Sequence, residues 1–132
     1  MLKVYLAARF QEAPAMRSFA ALLKASGIDT TSRWFDGTHE LRSDLDEAKQ
    51  RQRFAAEDLE DIDAADALVL FNPAEHHRSG TGGRHVEVGY AIGTQKPIFI
   101  VGARENVFHW HPSVTAVGDF AALIVALKDG WA

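Results

Sequence analysis

Cysteine is absent from the 132-residue chain, which excludes a disulfide framework, a Cys-type zinc site and any thiol nucleophile. Basic charge is also short. Fourteen Lys and Arg stand against 18 Asp and Glu, for a formal net charge of −4. Binding to a nucleic-acid polymer draws most of its affinity from Lys and Arg on phosphates, so this balance points to a small-molecule substrate instead. Long apolar runs are missing as well. The opening Met1-Leu2-Lys3-Val4-Tyr5-Leu6 soon meets Arg9 and Glu12, so it reads as neither a signal peptide nor a membrane span, and the expected compartment is the cytoplasm. The length suits one domain over residues 1–132, with one hydrophobic core and no separate substrate domain. A second subunit is therefore expected to complete the active site.

What is present alternates between strand and helix patterns. Leu2 to Ala8 is a short apolar run, and Pro14 to Ala25 repeats apolar residues at helical spacing, with Phe19, Leu22 and Leu23 inward and Gly27 suited to a left-handed cap. Ile28 to Phe35 reads as a second strand, and Asp36-Gly37-Thr38 as a turn. Ser43, with Asp46 three residues on, resembles a capping box for a long helix to about Ala65, whose expected inner face is Ala48, Ala55, Leu59 and Ile62. Ala67 to Phe71 and Pro97 to Val101 are continuous apolar runs of the kind found in parallel strands covered on both faces. A helix from about Arg84 to Thr94, a short strand at Val114 to Val117 and a helix from Asp119 to Lys128 complete the pattern. The sequence predicts an α/β chain, a flavodoxin-like three-layer sandwich around a five-stranded, mostly parallel sheet.

Open parallel sheets bind ligands outside the carboxyl ends of their strands. This selects Ala8-Arg9-Phe10, Trp34-Phe35-Asp36, the stretch from Asn72 to Gly83, and Gly102 to His111. Ser79-Gly80-Thr81-Gly82-Gly83 directly precedes a helix, where free backbone N–H groups and the helix dipole favour an anion or carboxylate. It is neither a Walker loop nor a dinucleotide fingerprint, and glycines there also serve a plain tight turn. In the following helix Glu87 lies among Val86, Val88, Tyr90, Ala91 and Ile92. A carboxylate in such company is held either by structural hydrogen bonds or for function. His76-His77 and His109-Trp110-His111 lack metal-ligand spacing with a convincing third ligand, so no metal and no other cofactor is expected.

Three segments carry a resemblance to the nucleoside 2-deoxyribosyltransferase superfamily, which includes deoxynucleoside monophosphate N-glycosidases. They are Lys3 to Ala8, then Asp58-Leu59 with Ile62 and Ala65-Asp66, and Gly82-Gly83-Arg84-His85-Val86-Glu87-Val88-Gly89-Tyr90-Ala91. Lys96-Pro97-Ile98 and Asn106 extend the match over most of the chain. The resemblance implies that Glu87 attacks the anomeric carbon of a nucleoside or nucleotide, releases the base and forms a glycosyl-enzyme that a second base or water resolves. It implies that Tyr5 orients Glu87, that Asp58 contacts the departing base, and that Asn106 reaches a neighbouring subunit's site to bind the sugar 5′-hydroxyl.

Each residue also has a plainer reading: Tyr5 as a core tyrosine, Asp58 as one solvated member of an acidic run, Asn106 as a turn former. Phe10 and Trp34 are candidates for stacking the base, or for rim and core packing. The chain departs from the family where many members carry an acidic residue shortly before the nucleophile. Thr81 and Gly82 occupy that stretch, and Glu75 is too far upstream. Arg9, Arg78, Ser79 and the glycine loop would suit a 5′-phosphate, which makes a monophosphate N-glycosidase the first alternative. A non-catalytic nucleotide-binding module is the second.

Overall fold

The computed structural model describes residues 1–73 and 82–129. The apolar runs form strands β1 (Lys3–Ala7), β2 (Asp29–Thr30), β3 (Ala67–Asn72), β4 (Ile98–Gly102) and β5 (Val114–Val117), and the periodic segments form helices α1 (Ala13–Ala25), α2 (Glu47–Asp63), α3 (Gly83–Gly93) and α4 (Phe120–Asp129). All pairings are parallel, in the order β2-β1-β3-β4-β5. This is the flavodoxin-like order, with its switch point between β1 and β3. Phe19 of α1 stacks on Phe120 of α4 and packs on Phe71, which places α1 and α4 on one face. On the other face, Tyr90 of α3 donates to Asp63 at the end of α2. Covered on both sides, β1, β3 and β4 hold the core: Val4, Ala7, Leu68, Leu70, Ile98 and Ile100 have no exposed surface.

The second strand is far shorter than the run from Ile28 to Phe35 predicted. Beyond Thr30 the edge of β1 is satisfied by side chains rather than by a ladder. The Leu6 N–H donates to Ser32 Oγ at 2.7 Å, and the Trp34 indole N–H donates to the Leu6 carbonyl at 2.7 Å. Those bonds leave the chain free to turn through residues 33–40 above the sheet.

Helix α2 begins at Glu47, not near Ser43. Asp46 is its cap, accepting from the Lys49 N–H at 2.9 Å. Of the expected inner face, Ile62 is buried and Leu59 packs half-buried on the core, but Ala48 and Ala55 are exposed, and Gln50 and Asp61 are buried in addition. The helix is turned this way because polar residues have partners inside. The Gln50 amide bridges Arg42 and Leu45, and the Asp61 carboxylate accepts from the Arg33 backbone and guanidinium. In α1 the inward stripe is Ala13, Met16 and Leu23 with Phe19 half-buried, and Leu22 faces solvent.

Candidate active site

Tyr5 sits in the middle of β1 with no exposed surface. Its hydroxyl donates to Glu87 Oε2. Glu87 opens the second turn of α3, because the helix starts at Gly83, one position earlier than the sequence predicts. Val86 beside it is largely exposed and Glu87 only half-buried, so the apolar shield around the carboxylate is thinner than the sequence implies.

Burial still pushes the Glu87 carboxyl up to about 8; the charge of Asp58 adds to the rise, and the Tyr5 hydrogen bond opposes it. The Tyr5 phenol is held far above its ordinary range by burial and by the Glu87 charge, so it stays neutral and remains a donor. Asp58, half-buried on α2, is pushed up to about 6 by burial, against the pull of His39. Among the acidic residues of α2 only two turn decisively inward with a named partner. Asp61 is spent on Arg33 at 2.8 Å, which leaves Asp58 as the carboxylate within electrostatic reach of Glu87.

His39 was not singled out by the sequence. Its ring is buried and stacks on Phe54 with centroids 4.5 Å apart, and its Nε2 lies 3.0 Å from Asp58 Oδ1. The only sequence signal was a histidine just after the Asp36-Gly37-Thr38 turn, with no periodicity to set it apart.

Tyr5 from β1 and Glu87 from α3 are thus joined by a hydrogen bond, with Asp58 of α2 within electrostatic reach. The model of the nucleoside 2-deoxyribosyltransferase family matches residues 4–123 of the chain. The chain belongs to that family. No curated protein sequence matches it. Among solved structures, it is similar to the CMP N-glycosidase of Clostridium botulinum, with TM-score 0.62 and 19% identity over 96% of this chain and 98% of that one. It is also similar to the 2-deoxyribosyltransferase of Bacillus psychrosaccharolyticus, with TM-score 0.69 and 18% identity over 92% and 90%. A third similar structure is the 2-deoxyribosyltransferase from Leishmania mexicana, with TM-score 0.65 and 14% identity over 97% and 98%. At these identities the structural likeness concerns the fold.

The other residues that the family resemblance drew together are placed as follows. Arg9 is buried and its guanidinium lies 3.4 Å from Glu12, so its charge is matched within the chain. Phe10 is about half exposed, with its ring 6.2 Å from that of Trp34. Trp34 itself is buried and bound to Leu6 through its indole N–H. Both line a cavity of about 200 Å³ together with Arg17, Phe35 and Glu40; Tyr5, Asp58 and Glu87 are not among its walls. The Tyr5–Glu87 and His39–Asp58 contacts therefore lie outside the walls of this hollow.

Gly82 caps α3 at φ +82°, a left-handed conformation that a side chain disfavours, and Gly83 is the first helical residue. Ser79, Arg78, Glu75, Thr81 and the His76-His77 pair lie outside the described residues.

Asn106 follows β4 and is held by its own subunit. Its Oδ1 accepts from the Phe108 N–H at 2.9 Å, and its Nδ2 lies 3.4 Å from His85 Nδ1. Behind it, Glu105 receives two hydrogen bonds from Arg84, each 3.2 Å, and its backbone N–H donates to His109 Nδ1 at 2.9 Å. Although partial burial opposes it, Arg84 holds the Glu105 carboxyl below its usual range. At the root of this loop Gly102 has φ +116°, and a Cβ there would fall 2.0 Å from the Asn72 carbonyl. The glycine lets β3 and β4 close on each other, and the Asn72 amide locks the contact by donating to the Ala103 carbonyl at 2.7 Å.

Proposed function

We propose that the chain cleaves or exchanges the N-glycosidic bond of a (deoxy)nucleoside through a covalent glycosyl-Glu87 intermediate. The observation that carries this reading is the Tyr5 hydroxyl bound to Glu87 Oε2, with the charge of Asp58 adding to the Glu87 proton affinity. Carboxyl groups that oppose each other's charge titrate as a pair and favour a single shared proton near neutral pH. Glu87, raised further than Asp58, holds that proton in the free chain; in the proposed reaction it moves to Asp58, so that Glu87 attacks as the carboxylate and Asp58 carries the proton.

In the first step the C1′–N bond breaks as a Glu87 oxygen bonds to C1′. The bonding pair leaves with the base, and a proton reaches that base through Asp58. The fixed negative charge of Glu87 opposes the positive charge developing on the sugar. Tyr5 keeps one carboxylate oxygen occupied and so leaves the other facing C1′. In the second step the nitrogen of a second base, or a water, attacks C1′, Glu87 departs as a carboxylate, and the incoming group gives up its proton. Two displacements retain the configuration at C1′.

Asn106 is assigned to the 5′-hydroxyl of a sugar bound in a neighbouring subunit. Its loop supports this, because Val107, Phe108 and Trp110 expose apolar surface around it of the kind that subunit interfaces cover. Phe10 is assigned to the face of the base. No helix among the described residues is long and apolar enough to cross a membrane, and the expected partner is a small nucleoside or nucleotide.

The test is incubation of the purified protein with a panel of nucleosides and 5′-monophosphates, with and without a second free base. Base release or exchange that disappears in a folded Glu87→Ala variant supports the reading. Turnover confined to monophosphates and independent of added base moves the assignment to a nucleotide N-glycosidase, and binding without turnover moves it to a non-catalytic module.

A further inference from the structure

Breaking the bond to a purine or pyrimidine requires a proton, because the base anion is a poor leaving group. In this chain the stretch just before the nucleophile contains Thr81 and Gly82, with no carboxylate there to supply one. Among the described residues, the carboxylate within electrostatic reach of Glu87 is Asp58. The only group bound to Asp58 among the described residues is His39, whose Nε2 is 3.0 Å from Asp58 Oδ1.

The surroundings of His39 restrict what it does. One face of the ring stacks on Phe54 at 4.5 Å and 19°, and the Arg53 guanidinium lies 5.2 Å from the Phe54 ring. Nδ1 lies 3.3 Å from Thr38 Oγ1, which is 2.7 Å from Asp36 Oδ1. A hydroxyl has one proton, and the short contact assigns it to the Asp36 carboxylate. Thr38 Oγ1 is then an acceptor towards Nδ1, so Nδ1 carries hydrogen. With Nδ1 protonated, the state of Nε2 is set by Asp58: a proton there lies between the imidazole and the carboxylate. Asp58 Oδ2 makes no hydrogen bond among the described residues and is the oxygen left for the base. The other charged groups in reach are Glu57 and Asp61 on α2, which repel negative charge on Asp58, and Glu87 on α3.

We infer that His39 is a positioning residue that works through Asp58, storing the proton the departing base needs and holding Oδ2 towards that base. The inference rests on the glycosyl-transfer reading above. The pair begins with one shared proton, as imidazolium and carboxylate. When the C1′–N bond breaks, that proton passes through Asp58 to the base, leaving neutral His39 and ionised Asp58. In the second step the incoming base or water returns a proton to Asp58, and the pair is restored. Each turn therefore begins and ends with the same number of protons on the pair. A loop anchor, by contrast, would hold residues 36–40 against α2 and affect all substrates alike.

The test compares His39→Gln with the unaltered protein on two leaving groups. One is the natural base of whichever deoxynucleoside the panel identifies. The other departs without a proton: an N7-methylated purine in place of a purine, or 5-nitrouracil in place of uracil. His39→Gln keeps a donor towards Asp58 but carries no transferable proton. The expected result is a loss in kcat/KM of about 10- to 100-fold on the natural base, up to the lower end of what general acid catalysis contributes because Asp58 remains in place, and a change of less than about threefold on the second. Asp58→Asn should show the same split. Where His39→Gln does not fold, judged by thermal unfolding, His39→Asn takes its place. Equal losses on both leaving groups, or no loss on either, overturn the role of His39 while leaving Glu87 chemistry intact. An unaltered protein that turns over neither substrate overturns both readings.

Discussion

Tyr5 and Glu87, 82 positions apart in the chain, meet through a hydrogen bond from the phenol to the carboxylate. Strand β1 supplies the phenol from a fully buried position, and α3 supplies the carboxylate from its second turn. The bond joins the centre of the sheet to the end of a helix, and it is one of the forces on the Glu87 proton, acting against burial.

Removing that phenol without changing the ring's shape should therefore move two observables. Tyr5→Phe is expected to lower kcat about 10- to 100-fold, the equivalent of a lost hydrogen bond to a charged group, with little change in KM. Because the Tyr5 bond holds the Glu87 proton affinity down, its loss should shift the acidic limb of the kcat/KM profile to higher pH. Steady-state kinetics across pH checks both, and an unmoved limb contradicts the assigned contact.

Stability should depend on pH through the same carboxyl. Glu87 rises from its ordinary value to about 8 on folding, so between the two values the folded chain binds more protons than the unfolded chain, and stability falls as pH rises. Glu87→Gln does not titrate. Its stability relative to the unaltered protein should therefore grow from about pH 4.5 to pH 8 and then level off, by on the order of 1–3 kcal/mol after allowance for partial exposure. Urea unfolding at pH 5 and pH 8 measures the difference. A difference between variant and parent that is the same at pH 5 and pH 8 contradicts a Glu87 carboxyl raised on folding.

A site shared between subunits should show complementation. Glu87→Ala and Asn106→Ala subunits are each expected to be weak alone. Mixed in equal amounts as a dimer, they should recover about a quarter of full activity, because half the dimers are hybrid and each hybrid has one site with both residues intact. No recovery despite proven subunit exchange, or full activity in a monomer, rules out the shared site.

Much of this arrangement is legible in the sequence. The two strands with continuous apolar runs were found as β3 and β4 because parallel strands buried on both faces leave no alternation to misread. Gly82 and Gly83 marked the start of α3, and with it the place of Glu87. The misread segments share a cause, which is side chains doing the work of backbone. Trp34 and Ser32 satisfy the edge of β1, so an apolar stretch that looked like strand is turn. Asp46 caps α2, so the helix starts later than Ser43 suggests, and polar Gln50 and Asp61 face inward where Ala48 and Ala55 were expected. His39 was invisible because its meaning lies entirely in Asp58, nineteen positions away. Asn106 has a clear structural task within its own chain, capping the turn at Val107–Trp110, beside the one that resemblance assigns it.

The covalent step is open to direct observation. A 2-deoxy-2-fluoro-arabinosyl nucleoside slows breakdown of a glycosyl-enzyme because fluorine opposes the charge developing at C1′. Intact-mass spectrometry after incubation with a compound of this kind, followed by peptide mapping, should show one added sugar per subunit, located on Glu87 and absent from Glu87→Ala. An unmodified mass in a preparation that turns over the parent nucleoside, or an adduct on any other residue, would contradict Glu87 as the nucleophile.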